Sequence, residues 1–156
     1  MPVAYRLCKA KYGESAAKML NGQGALLYGG RWNSLGKAMV YASATQSQAI
    51  NEILVHMGGP SVLFSYVVLA LDIPADIIVS VGIDELPAGW DEITMEPKAA
   101  RAVGDAWLKN DVSAVLEVPS VIVPSERTYL LNPLHDDFKR IEYDVPVPFP
   151  FDPRLK

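Results

Sequence analysis

Apolar and polar residues alternate over 3–8, with Tyr5 and Leu7 on one face and Arg6 on the other, which predicts a half-buried strand. Residues 14–20 predict a short helix, stopped by Asn21-Gly22. Residues 24–31 read as a loop or irregular strand, and 38–42 as a short strand with Met39 and Tyr41 facing away from Val40. The strongest helical pattern spans 43–57, where Ile50, Ile53, Leu54 and Met57 share a face. Ser43 followed by Gln46 matches a capping box, and Gly58 suits the stop. Residues 62–72 and 77–81 are rich in β-branched side chains and predict strands. An acidic loop over 82–96 holds Trp90. A second helix is expected over 97–109, with Pro97 in its first position, Ala100, Val103 and Trp107 on one face, and Asn110-Asp111 at its end. Strand-like pieces at 112–118, 120–123 and 128–131 are separated by Pro119 and Pro124, and 138–143 suits a last strand. Residues 144–156 carry Pro146, Pro148, Pro150 and Pro153, which predicts an extended tail rather than a helix.

These elements add up to an α+β fold, with largely antiparallel β-sheets and a few flanking helices. Strands and helices do not alternate regularly, which disfavours a doubly wound sheet. A length of 156 residues fits a single domain over 1–143, with the Pro-rich tail 144–156 packed on it or extending from it. One cysteine and two histidines leave no disulfide framework and little for a histidine- or cysteine-built metal site. A net charge of −4 argues against nucleic-acid binding, which draws on Lys and Arg to neutralise phosphates. Residues 1–20 mix charges among apolar side chains and show no signal-peptide core. The apolar run near 62–71 is far short of the ~20 residues of a membrane span. A cytoplasmic protein with no membrane contact is expected.

In Gly29-Gly30-Arg31-Trp32-Asn33, two glycines allow a tight turn, and Arg31 offers a planar fork of donors suited to phosphate oxygens. The stretch equally fits a hairpin turn with an exposed arginine, and it matches neither a phosphate loop nor GxGxxG. Tyr41 suits stacking on an aromatic ring or a core position with its hydroxyl satisfied. Glu52 lies at the edge of the apolar helical stripe beside Ala49, where a carboxylate can stabilise charge; paired with His56, it is a solvated side chain instead. Arg6 fits an anion clamp or a charge that guards an edge strand. Ser120 can bond a substrate or a carboxylate, or merely close a turn; no GxSxG elbow surrounds it. Cys8 reads as a plain buried thiol.

In order, Tyr5-Arg6, Gly30-Arg31-Trp32-Asn33, Val40-Tyr41-Ala42, Glu52, Leu86-Pro87 with Trp90, Pro119-Ser120 and Leu131-Asn132-Pro133 resemble the RES domain family. Its members are the toxins of Xre–RES toxin–antitoxin pairs, and the resemblance covers roughly residues 5–133. It implies a fold related to the ADP-ribosyltransferase toxins and chemistry on NAD+. The nicotinamide–ribose bond would be broken by hydrolysis or phosphorolysis, or ADP-ribose moved to a protein. By position, the resemblance implies Arg31, Glu52, Tyr41 and Ser120 as catalytic residues, and Arg6, Arg31, Tyr41 and Glu52 as NAD+ contacts. Ser125, after Pro124, is a second candidate for the serine, and the one after Pro119 is favoured. The resemblance further implies no metal, no cofactor beyond NAD+ as substrate, and an Xre-type helix-turn-helix antitoxin over the pocket. A homo-oligomer within that complex is one option, and the tail suits an interface or plain surface packing.

Such chemistry reconciles a −4 protein with an anionic substrate, because guanidinium groups can hold a diphosphate locally. Nicotinamide leaves already activated as a cation, so a fixed carboxylate aimed at the developing ribose charge is the larger need. Two other readings remain: a non-catalytic nucleotide-binding module built on residues 29–33, and an RNA-cleaving toxin. The acidic balance and the lack of a basic cluster disfavour the second.

Overall fold

The computed structural model describes residues 2–55 and 65–155. Its centre is strand β1 (Val3–Lys9), where the alternation of the sequence turns Tyr5 and Leu7 to one face and Ala4, Arg6 and Cys8 to the other. β1 pairs antiparallel with β3 (Tyr66–Asp72) along its whole length, from Val3 opposite Asp72 to Lys9 opposite Tyr66. On its other side lies β2 (Val40–Ser43), with Tyr5 opposite Ser43. The sheet continues through β6 (Arg127–Leu131) and β5 (Val115–Pro119) to β4 (Ile78–Ser80). Beyond β3 come β7 (Glu142–Tyr143) and β8 (Val147–Phe149). Among the described pairs only β4–β5 is parallel, so the fold is α+β with a largely antiparallel sheet. No helix among the described residues is long and apolar enough to cross a membrane.

The pleat divides the core. On one face Ala4, Val40, Ala42, Leu69, Leu71, Val115 and Leu131 pack with Met19, Leu20, Ile73 and Ile141. The other face is covered in two patches. Helix α4 (Lys98–Lys109) buries Ala100, Gly104 and Trp107, and joins Trp32, Met39, Trp90, Leu116 and Leu130. Helix α3 (Gln46–Leu54) buries Ala49 over Leu7, Tyr66 and Val68, with Phe149 and Phe151 behind it. The candidate site lies at the seam between these two patches.

Several local expectations change. Residues 24–31 are not a loop or strand: helix α2 (Gln23–Tyr28) forms after α1 (Ala16–Met19). It starts at Gly22, whose φ of 72° only glycine adopts freely. The cap of α3 is Thr45, whose hydroxyl accepts from the Gln48 N–H at 3.1 Å, because Ser43 is taken up as the last residue of β2. His56, Met57, Gly58 and the first part of the 62–72 strand lie outside the described residues. Residues 120–123 are a turn and not a strand, and in 138–143 only Glu142–Tyr143 is strand (β7), residues 138–140 belonging to a 3-10 helix over Asp136–Arg140. The tail contains β8, an edge strand in which Pro148, lacking an N–H, stands opposite Val67. A short 3-10 turn over Pro153–Leu155 follows it.

Candidate active site

Arg31 sits in a tight turn closed by a bridge between Gly30 and Asn33. A Cβ at Gly30 would stand 2.6 Å from the Tyr41 hydroxyl, so only glycine lets the turn lie this close to β2. Tyr41 projects from β2 beneath the turn. Its hydroxyl donates to Asn33 Oδ1 at 2.6 Å and accepts from the Trp32 N–H at 3.1 Å. Asn33 is fully buried, and its Nδ2 donates to the carbonyls of Ala25, Ser34 and Lys37. Trp32 stacks on Trp90 with ring centroids 6.1 Å apart.

Helix α4 holds the same turn from outside. Arg101 Nε donates to the Gly30 carbonyl at 2.8 Å, and Asp105 accepts from the Ser34 N–H at 3.0 Å and from its hydroxyl. Gly104 lies against the Trp32 carbonyl, in space that a Cβ would fill. The Arg31 guanidinium itself reaches the 82–96 loop, where Nη1 donates to the carbonyls of Glu92 at 2.9 Å and Trp90 at 3.2 Å. Partial burial lowers its pKa, opposed by the negative charges of Glu52 and Asp91 and by Tyr41. Burial pushes the Tyr41 hydroxyl well up, so it stays protonated and serves as a neutral donor.

Glu52 enters from the other patch, on the second turn of α3. Its Oε1 accepts from Gln48 Nε2 at 2.9 Å and from the Ser120 hydroxyl at 3.2 Å. Ser120 follows β5 and is almost wholly enclosed. Its Oγ accepts from Gln48 Nε2 and from the N–H groups of Ile122 and Val123, at 3.1 and 3.3 Å for the two backbone donors. Ser125 is exposed and shows no hydrogen bond to Glu52. Of the two serines, Ser120 is the one bonded to Glu52.

The structure brings Arg31, Tyr41, Glu52 and Ser120 to one seam. It does not bring Arg6 there. Arg6 stands on the opposite face of the sheet, across from Leu69, where Nε donates to the Met19 carbonyl at 2.6 Å and Nη1 to the Tyr41 carbonyl at 2.9 Å. Burial lowers its pKa. Arg6 ties α1 to β2 rather than facing a ligand beside Glu52. A cavity of about 220 Å3, lined by Tyr5, Val68, Ala70 and Val147 among others, contains none of the four seam residues.

Four residues went unseen in the sequence: Gln48, Arg101, Gly104 and Asp105. Two carried a signal. Gln48 is a polar side chain one turn before Glu52 on an otherwise apolar inner face. Gly104 sits in mid-helix, where glycine costs about 1 kcal/mol against alanine and so marks a close approach.

The model of a family described as the RES domain matches residues 3–152. A protein named Toxin Res from Photorhabdus laumondii subsp. laumondii is 39% identical over 154 residues, 98% of this chain and 96% of the relative. The Prs ADP-ribosylating toxin of a Sphingobium species is 35% identical over 141 residues, 87% of this chain and 86% of the relative. In the crystal structure of the M. tuberculosis MbcT–MbcA toxin–antitoxin complex, one chain shares the fold. Its TM-score is 0.75 at 16% identity, covering 98% of this chain and 85% of that one.

Proposed function

The chain belongs to the RES domain family, and we propose that it is the toxin of a toxin–antitoxin pair that degrades NAD+ at the nicotinamide–ribose bond. The observation that carries this reading is the nearness of the Arg31 guanidinium to the Glu52 carboxylate, with Tyr41 beneath the Arg31 turn. Arg31 offers a bidentate donor to a diphosphate oxygen. Glu52 offers a carboxylate already fixed at Oε1, with Oε2 left for the ribose. As the bond breaks, its electron pair leaves with nicotinamide, which departs neutral. The ribose C1 is left as an oxocarbenium-like cation that Glu52 stabilises, and water or phosphate closes it, yielding ADP-ribose and a proton or ADP-ribose phosphate. The reaction as proposed calls on no metal and no cofactor beyond the NAD+ substrate. Tyr41 stacks its ring on the nicotinamide side while its hydroxyl braces the turn. The compartment is the cytoplasm, and the partners are NAD+ and an Xre-type helix-turn-helix antitoxin. The MbcT–MbcA complex, as a fold relative, supports an antitoxin partner.

The test is release of nicotinamide from NAD+ by purified, antitoxin-free protein, with and without phosphate. Arg31→Ala and Glu52→Ala are each expected to lower turnover by about 10²–10³. Intact NAD+ in the presence of folded wild type sinks the reading. A second reading, transfer of ADP-ribose to a protein, is favoured by the name of the Sphingobium relative. Labelled NAD+ with lysate distinguishes it, since label then appears on a protein band.

A further inference from the structure

Glu52 is held by an amide whose own oxygen goes unpaired. Gln48 is 1% exposed, one helical turn before Glu52. Both hydrogens of its Nε2 are spent, one on Ser120 Oγ and one on Glu52 Oε1. Its Oε1 is buried and finds no hydrogen-bond partner among the described residues. The reversed amide would aim that oxygen at a carboxylate, so the donor orientation is the one the neighbours demand. A buried polar atom without a partner is a standing cost, and an apolar side chain of the same length would avoid it. The orientation of the amide makes sense as a device acting on its neighbours.

We propose that Gln48 is a positioning residue: together with Ser120 it pins one oxygen of the Glu52 carboxylate, so that the other is presented to the reacting ribose in a single orientation. The backbone N–H groups of Ile122 and Val123 anchor Ser120 in turn, which connects the grip on Glu52 to the turn after β5. The proposal rests on the NAD+ reading for its kinetic consequence and on the contacts alone for its geometry.

Gln48→Met keeps the length of the side chain and removes both donors. In the full chain it is expected to lower kcat for nicotinamide release by about tenfold or more, with KM within about threefold and the melting temperature unchanged or raised. A kcat within about twofold of wild type overturns the proposal. A second measurement needs neither turnover nor a foldable Gln48 variant. In wild type, the Gln48 side-chain amide protons are expected to exchange slowly with solvent, and Glu52→Gln is expected to shift their resonances. Solvent-rate exchange with no response to Glu52→Gln overturns it as well. If wild type leaves NAD+ intact while the amide is protected and responsive, the NAD+ reading falls and the brace stands.

Discussion

The two patches that meet at the site are built by opposite means. The Arg31 turn buries a single large side chain, Trp32 against Trp90, and is otherwise held by polar clamps: Tyr41, Asn33, Arg101 and Asp105 all bond to it or within it. Glu52 rides on a nine-residue helix secured mainly by apolar contact, with Leu7 and Val68 beneath and Phe149 and Phe151 behind. A loop that must hold a cation in place needs directional bonds, because it lacks the periodic face that lets a helix bury itself. A helix can be aimed by packing and then needs only a local brace, here Gln48 and Ser120. Damage to the first patch should therefore act through geometry and fold together, and damage to the second through the mobility of one helix.

The contrast can be broken at its strongest point. Gly104→Ala drives a methyl into the Trp32 carbonyl and is expected to cost about 3 kcal/mol, measured by denaturant unfolding. Asn33→Ala strands the buried carbonyls it serves and is expected to cost about 2 to 3 kcal/mol while abolishing Arg31-dependent NAD+ binding in calorimetry. Phe151→Ala attacks the other patch, and its expected cost is about 2 kcal/mol, below that of a fully buried phenylalanine. Hydrogen exchange should then show lost protection in α3 and unchanged protection in α4. Tyr41→Phe removes one donor and one acceptor, with an expected cost of about 1 kcal/mol and a weaker grip on the turn.

The smallest effect is alkaline. Burial, reinforced by Glu117, pushes Tyr129 up to about 12, and burial raises Tyr41 as well. An acid whose pKa is raised on folding contributes its stability in full below the unfolded value near 10 and loses it as pH climbs through the folded value. Melting temperature should hold up to about pH 10 and fall between about 10 and 12. Tyr41→Phe should remove the share of that loss belonging to the turn and leave the share of Tyr129.

Much of this was legible along the chain. The alternation in β1 and the face of α4 both come from patterns a few residues long. What escaped depends on distant partners. Helix α2 hides behind Gly22, Gly24 and Gly29, and is completed by Asn33 bonding the Ala25 carbonyl. The true cap of α3 is Thr45 because pairing with β1 and β6 claims Ser43 for β2. Along with Arg31, the resemblance implies Arg6 as an NAD+ contact. Alternation already set it opposite Tyr5, but only the register with β2 reveals that Tyr41 shares the face of Tyr5 and not that of Arg6.

The strand that completes the support of Glu52 is also late in the order of synthesis. Residues 147–151 emerge from the ribosome after Arg31, Tyr41, Glu52 and Ser120 have all been made, yet β8 pairs with β3, and Phe149 and Phe151 back the helix that carries Glu52. A nascent chain thus holds every member of the site before the helix under one of them is seated. A chain cut before β8 is expected to keep Arg31, Tyr41, Glu52 and Ser120 but to lose Phe149 and Phe151 from behind the helix that carries Glu52.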